Sequence, residues 1–123
     1  MAVENKPGKG KSLPKDSEHL LYLNLGEETI YRTDGVLDNS VKGTLVLTTE
    51  KLFFYFESNI SREQKFIGRH PYIVSAELKE GFLSSELVII NKDKTFSISK
   101  IKKKQARDLY GHIQDVLEKN RSI

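Results

Sequence analysis

Apolar positions alternate with polar ones through the middle of the chain and switch to helical spacing near its end. The stretch Gly43–Glu57, GTLVLTTEKLFFYFE, sets the frame. Leu45 and Leu47 alternate with Thr44, Val46 and Thr48, then Thr49, Glu50 and Lys51 interrupt, and the apolar run Leu52-Phe53-Phe54-Tyr55-Phe56 follows. Two β-rich runs joined by a few polar residues predict an antiparallel hairpin. Three of the six phenylalanines lie in the second run. They need cover, because aromatic side chains dominate the energetics of a core.

The same reasoning extends to both sides. Asp16 or Ser17 caps a helical turn from which Leu20, Leu21 and Leu23 dock on the domain, and Gly26 ends it. Glu28–Leu37 predicts a strand through Ile30, Val36 and Leu37. Asp34-Gly35 within it reads as a bulge, because Asp38-Asn39-Ser40 makes the better turn before Val41. After the hairpin, Ser58–Glu63 is a polar loop, Gln64–Gly68 is a short strand, and Arg69-His70-Pro71 is a break, since proline cannot donate to a ladder. Tyr72–Leu78 resumes as a strand, with Ile73 alternating against Val74, Ala76 and Leu78. Glu80–Ser85, EGFLSS, turns and returns to the core through Phe82 and Leu83. Glu86–Asn91 and Thr95–Ser99 form a last hairpin about Lys92-Asp93-Lys94, with Val88, Ile90, Phe96 and Ile98 as its apolar members. That gives about seven strands.

Ala106, Leu109, Tyr110, Ile113, Val116 and Leu117 then recur on one face of an α-helix running roughly from Lys102 to Lys119. The fold class is therefore mainly β with one C-terminal α-helix, which closes one side of the sheet or barrel.

Composition narrows the function. At 123 residues the chain is one domain plus a tail: residues 1–15 form a disordered basic tail and residues 16–123 the folded part. Four lysines against Glu4 in the tail account for the whole net charge of +3, and the remaining 16 basic and 16 acidic groups balance. The pI near 9.0 is thus weak evidence for nucleic-acid binding. There is no cysteine, hence no disulfide framework or thiolate metal site. The tail has no hydrophobic signal region and no apolar run is long enough to span a membrane. The expectation is a monomeric cytoplasmic protein able to associate peripherally with the membrane. Asn59-Ile60-Ser61 and Asn120-Arg121-Ser122 match the glycosylation pattern by chance in that setting. Gly10-Lys11-Ser12 imitates the end of a phosphate-binding loop, but Asn5 stands where the motif needs glycine and no strand precedes it.

Seven strands followed by one helix is the pleckstrin-homology (PH) order, and the residues resemble that superfamily in detail. Gly26-Glu27-Glu28, Lys42-Gly43-Thr44-Leu45-Val46-Leu47-Thr48 and Lys51-Leu52-Phe53-Phe54 resemble the opening of bacterial PH domains of the YokE-like group. The related GRAM domain shares the pattern before the aromatic strand. Ile73-Val74-Ser75, Gly81-Phe82-Leu83, Leu87-Val88-Ile89, Phe96-Ser97-Ile98, Lys100-Ile101 and Ala106 continue the match over about residues 20–118. The resemblance implies a strongly bent β-barrel plugged by the helix, acting as a binding module without enzymatic activity.

The residues themselves offer no catalytic, metal or cofactor site. His19, His70 and His112 sit far apart, and no paired-histidine zinc signature or nucleophile elbow appears. The candidate anion- or phospholipid-binding residues are Lys100, Lys102, Lys103, Lys104 and Arg107. Lysines in the first helical turn oppose the dipole, which favours negative charge there. Ser99 is placed to cap, but Lys102 three residues on cannot complete a capping box. The same run also reads as a solvated face paired with nearby carboxylates. A second group, Arg62, Lys65 and Arg69 with His70, is diluted by Glu63 and reads better as an ordinary soluble edge than as a binding patch. Many phosphoinositide-binding PH domains cluster Lys and Arg between their first two strands. Here that turn is Asp38-Asn39-Ser40 with only Lys42 near. The expected partner is a protein segment on an exposed strand edge beside the helix, or an anionic phospholipid surface. A small nucleic-acid-binding β-barrel is the alternative.

Overall fold

The interruptions of the strand pattern at 38–40, 49–50 and 81–84 become turns between antiparallel strands. The computed structural model describes residues 22–57, 62–70, 73–92 and 94–121. It contains β1 (Thr29–Leu37), β2 (Val41–Thr48), β3 (Lys51–Glu57), β4 (Arg62–Arg69), β5 (Ile73–Glu80), β6 (Ser85–Asn91), β7 (Thr95–Ile101) and α1 (Lys103–Arg121). The tail and the capped turn with Leu20 and Leu21 lie outside the described residues, as do Pro71 and Asp93. Asp38 and Asn39 both adopt positive φ in the β1–β2 turn, which Asp and Asn tolerate better than other non-glycine residues.

The strands form one seven-stranded sheet in the order β4-β3-β2-β1-β7-β6-β5. Its two ends curl towards each other, and the Asn91 amide at the end of β6 donates to the Ile67 carbonyl of β4 at 2.5 Å. Gly43 sits at a close approach inside the bend. A Cβ there would stand 2.6 Å from the Phe54 ring and collide with the Tyr55 carbonyl.

The concave side holds the main core. Leu45, Leu47, Leu52 and Phe54 of the β2–β3 hairpin meet Ile89 and Ile98 there. The helix closes it with Ala106, Leu109, Ile113 and Leu117, all buried at the predicted helical spacing. Each fully buried Leu or Ile contributes about 1.5–3 kcal/mol relative to exposure. The hairpin's other face is not left open. Val46, Phe53 and Tyr55 form a second cluster under Tyr22 and Leu23. Tyr22 packs edge-on against Phe53 at 5.8 Å and beside Tyr55 at 5.7 Å.

Several expectations need correction. The irregularity in β1 falls between Thr29 and Tyr31, while Asp34 and Gly35 pair regularly with Thr44 and Gly43. Gly35 is small because a Cβ would meet Ile98 Cγ2 at 2.6 Å. In β6 the inward residues are Leu87 and Ile89, with Val88 and Ile90 half-buried. A continuous apolar run does not say which alternate set faces in. In β5 a register shift between Ile73 and Ser75 puts Ile73 and Ala76 inside and Val74 outside. Phe82 and Leu83 do not return to the core; they are 91% and 85% exposed. Ser99 does not cap α1. Its hydroxyl points to the Val36 carbonyl, and the helix opens on the Lys102 carbonyl, which accepts from the Ala106 N–H at 2.9 Å.

Candidate anion-binding site

The β5–β6 hairpin tip, the end of β7 and the start of α1 meet at one end of the sheet. Glu80 pairs with Ser85 across the hairpin, and Ser85 in turn pairs with Ile101 at the end of β7. The Gly81 N–H donates to the Ser84 carbonyl at 2.9 Å, leaving Phe82 and Leu83 as the two residues of the tip. Between Leu87↔Ile98 and Ser85↔Ile101 the partner strand carries two residues, Ser99 and Lys100, against one, Glu86. Lys100 takes up the extra residue at φ 57°, a left-handed conformation that costs a non-glycine residue about 1–2 kcal/mol. The bulge turns Ile101 inward, where it is fully buried, and leaves Lys100 in water.

All five candidate cations lie on this end, divided by what they touch. Arg107 grips Glu80 with two nitrogens, Nε at 2.5 Å and Nη2 at 3.2 Å. That hydrogen bond raises the Arg107 pKa and lowers the Glu80 carboxyl below its usual range. Lys104 binds Asp108 at 3.0 Å, one helical turn on. The hydrogen bond raises the lysine and lowers the carboxylate. Lys100 and Lys102 are exposed, Lys103 is half-buried, and none of the three forms an ion pair among the described residues. Part of the run is thus paired with carboxylates, as one reading of the sequence had it, and part is free to meet an anion. The first turn of α1 has no acidic residue.

Sequence reasoning missed Phe82 and Leu83 as surface residues. The signal was present: Gly81 and Ser84 bracket them at hairpin spacing, which makes both the centre of a two-residue loop. The apolar side chains argued for the core and outweighed the turn.

Of the second basic group, the side chains of Arg69 and His70 are described. Arg69 stands 3.8 Å from Glu50, and His70 Nε2 lies 2.8 Å from the Thr48 carbonyl. Burial pushes the His70 pKa down. The side chains of Arg62 and Lys65 lie outside the described residues. At the β1–β2 turn, Asp38 accepts a hydrogen bond from the Ser97 N–H at 3.1 Å. His112 stacks against Tyr31 at 5.4 Å in an open cleft of about 380 Å³ shared with Asp108 and Asp115. Among the described residues no three His, Asp or Glu side chains gather to hold a metal ion.

Another concentration of charge is sealed inside. Lys51 Nζ binds Glu27 Oε1 at 3.1 Å and the Tyr22 carbonyl at 2.9 Å, and sits 5.5 Å from the centre of the Phe53 ring. Glu27 also accepts from the Asn24 N–H at 2.8 Å and from the Thr48 hydroxyl. Thr48 Oγ1 accepts in turn from the Glu50 and Lys51 N–H groups at 3.1 and 3.0 Å. Burial alone would raise the Glu27 carboxyl, but the Asn24, Thr48 and Lys51 donors outweigh it and hold the carboxyl below its usual value. Every partner comes from the chain itself, so this network is architecture.

Comparison with known proteins bears on the whole arrangement. The bacterial PH domain family matches residues 16–115. Among solved structures, the chain is similar to the pleckstrin homology (PH) domain of USP37, with a TM-score of 0.56 and 17% identity over 72% of this chain and 97% of that one. At that identity the likeness shows the fold alone. No curated protein matches the chain.

Proposed function

The chain belongs to the bacterial PH domain family, and from that premise we propose that it is a non-catalytic binding module that docks on anionic membrane surfaces. The docking residues are Lys100, Lys102, Lys103, Lys104 and Arg107. The observation that carries this reading is the gathering of these cations at one end of the sheet, with three lysines that form no ion pair among the described residues. Segments 79–86 and 100–108 together hold six cations and three carboxylates, so the end is net positive although the domain as a whole is balanced. Each lysine near an anionic leaflet contributes about 1 kcal/mol, lost at high salt. A cytoplasmic location with reversible attachment fits this reading. No described helix is long and apolar enough to cross a membrane.

A peptide added to the free edge of β5 has less support. Helix α1 packs along that strand, and the Gln114 amide reaches the Ala76 carbonyl at 3.4 Å. Nucleic-acid binding has less still, because stacking needs exposed rings. Among the described aromatic residues only Phe82 is largely exposed.

Co-sedimentation of the full chain with phosphatidylcholine vesicles, with and without phosphatidylglycerol, tests the proposal. Binding to the anionic vesicles alone, reduced by salt and abolished by Lys102→Glu with Lys103→Glu, is the expected result. Wild-type protein that stays in the supernatant with both vesicle types overturns it.

A further inference from the structure

We infer that Phe82 and Leu83 form an apolar wedge that enters the lipid interface while the flanking lysines hold the headgroups. The inference rests on the membrane reading above and gives it a depth and an orientation. Two large apolar side chains fill the two-residue tip of the β5–β6 hairpin, 91% and 85% exposed. An isolated exposed Leu is unremarkable, but an adjacent Phe and Leu at a hairpin apex, unpacked, do nothing for the fold. Their surroundings decide what they meet. Lys102 follows Ile101, which pairs with Ser85 at the base of the tip. Lys103 acts on Glu80 on the tip's other side, and Arg107 neutralises that carboxylate directly. The apolar point therefore stands beside a basic collar from β7 and α1, and of the carboxylates near its base Glu80 is paired with Arg107 while Glu86 accepts from the Ser97 hydroxyl.

An apolar tip flanked by cations matches a surface that is anionic outside and hydrocarbon beneath. Interfacial protein segments bind through the same sum of buried apolar area and attraction to acidic headgroups. Lys100 adds an independent pointer. The left-handed position at the β7 bulge suits glycine, yet a lysine occupies it and extends from the bulge into water. The site is distinct from the β1–β2 turn. Asp38 of that turn bonds to Ser97 in β7, and β7 then runs on through Ile98 to Ile101 at the tip end.

The chain contains no tryptophan, so Phe82→Trp introduces a single indole reporter at the apex. On addition of phosphatidylglycerol-containing vesicles, its emission is expected to shift to shorter wavelength and to be quenched by lipids brominated on their acyl chains. Phe82→Ser with Leu83→Ser is expected to weaken vesicle partitioning roughly ten- to a hundred-fold, leaving a salt-sensitive residue of binding. Its melting temperature reports folding and should stay at the wild-type value. A vesicle-bound protein whose indole remains in water, or a serine variant that binds like wild type, overturns insertion and leaves the docking proposal standing. Absence of wild-type binding to anionic vesicles overturns both. Equal indole shifts with neutral vesicles overturn the collar.

Discussion

Lys51 and Lys102 carry the same ammonium group into opposite surroundings. Lys51 is 7% exposed and finds a carboxylate, a backbone carbonyl and an aromatic ring within its own domain. Lys102 stands in water at the start of α1 and forms no ion pair among the described residues. Desolvating an ion costs several kcal/mol, so a buried lysine persists only where the fold supplies its partners. An exposed lysine carries no such requirement and keeps its charge available to other molecules. The position of a cation relative to solvent, more than its presence in the sequence, separates architecture from docking surface.

The comparison is tested most severely at Lys51. Lys51→Met strands the Glu27 carboxylate in an apolar setting and should lower unfolding free energy in urea by about 3–5 kcal/mol. Adding Glu27→Leu should recover most of that loss, since the two charges are then removed together. A Lys51→Met variant as stable as Lys102→Met would erase the distinction.

Acid separates the regions next. His70 and Glu27 both titrate lower in the folded chain than when unfolded. For each, the unfolded state takes up protons first as pH falls, so its contribution is complete above the ordinary pKa and fades below it. Thermal stability should therefore begin to fall below the ordinary histidine value of 6.5 and fall further below the ordinary glutamate value of 4.5. Glu27→Gln should remove the second stage, measured by melting curves across the acid range.

Smaller effects with the opposite sign are expected at the basic end. Lys102→Glu with Lys103→Glu places negative charge at a helix N-terminus and should stabilise by about 0.3–1 kcal/mol per residue at low salt. Lys100→Gly relieves the left-handed lysine and should gain about 1 kcal/mol or less. The double reversal should lose vesicle binding and Lys100→Gly should weaken it about five-fold, so stability and attachment move apart. Smallest of all, Phe82→Ser with Leu83→Ser should leave urea stability within about 0.5 kcal/mol, since neither side chain is packed.

Periodicity carried most of the fold. Alternation in Gly43–Glu57 and helical spacing from Ala106 to Leu117 each correspond to a buried face in the structure. Register was harder to read where apolar residues run without interruption, as at Leu87–Ile90, because either alternate set satisfies the pattern. Ile73 and Val74 were misassigned for a related reason: a one-residue bulge reverses the faces and leaves no compositional mark. The basic run was plain in the sequence, but its division into paired and unpaired cations was not. Glu80 is 27 residues from Arg107 and meets it only through the sheet. The buried status of Glu27 and Lys51 was equally hidden, since charged residues near a turn ordinarily signal solvent.

The strap formed by Tyr22 and Leu23 also decides where the folding unit starts. A fragment cut at Thr29, where the first strand begins, would keep every strand and the helix. It would also lay bare the rings of Phe53 and Tyr55 on the outer wall and leave Lys51 without its counter-ion. Such a fragment should clump and bind apolar dyes, although its hydrogen-bonded ladder is intact.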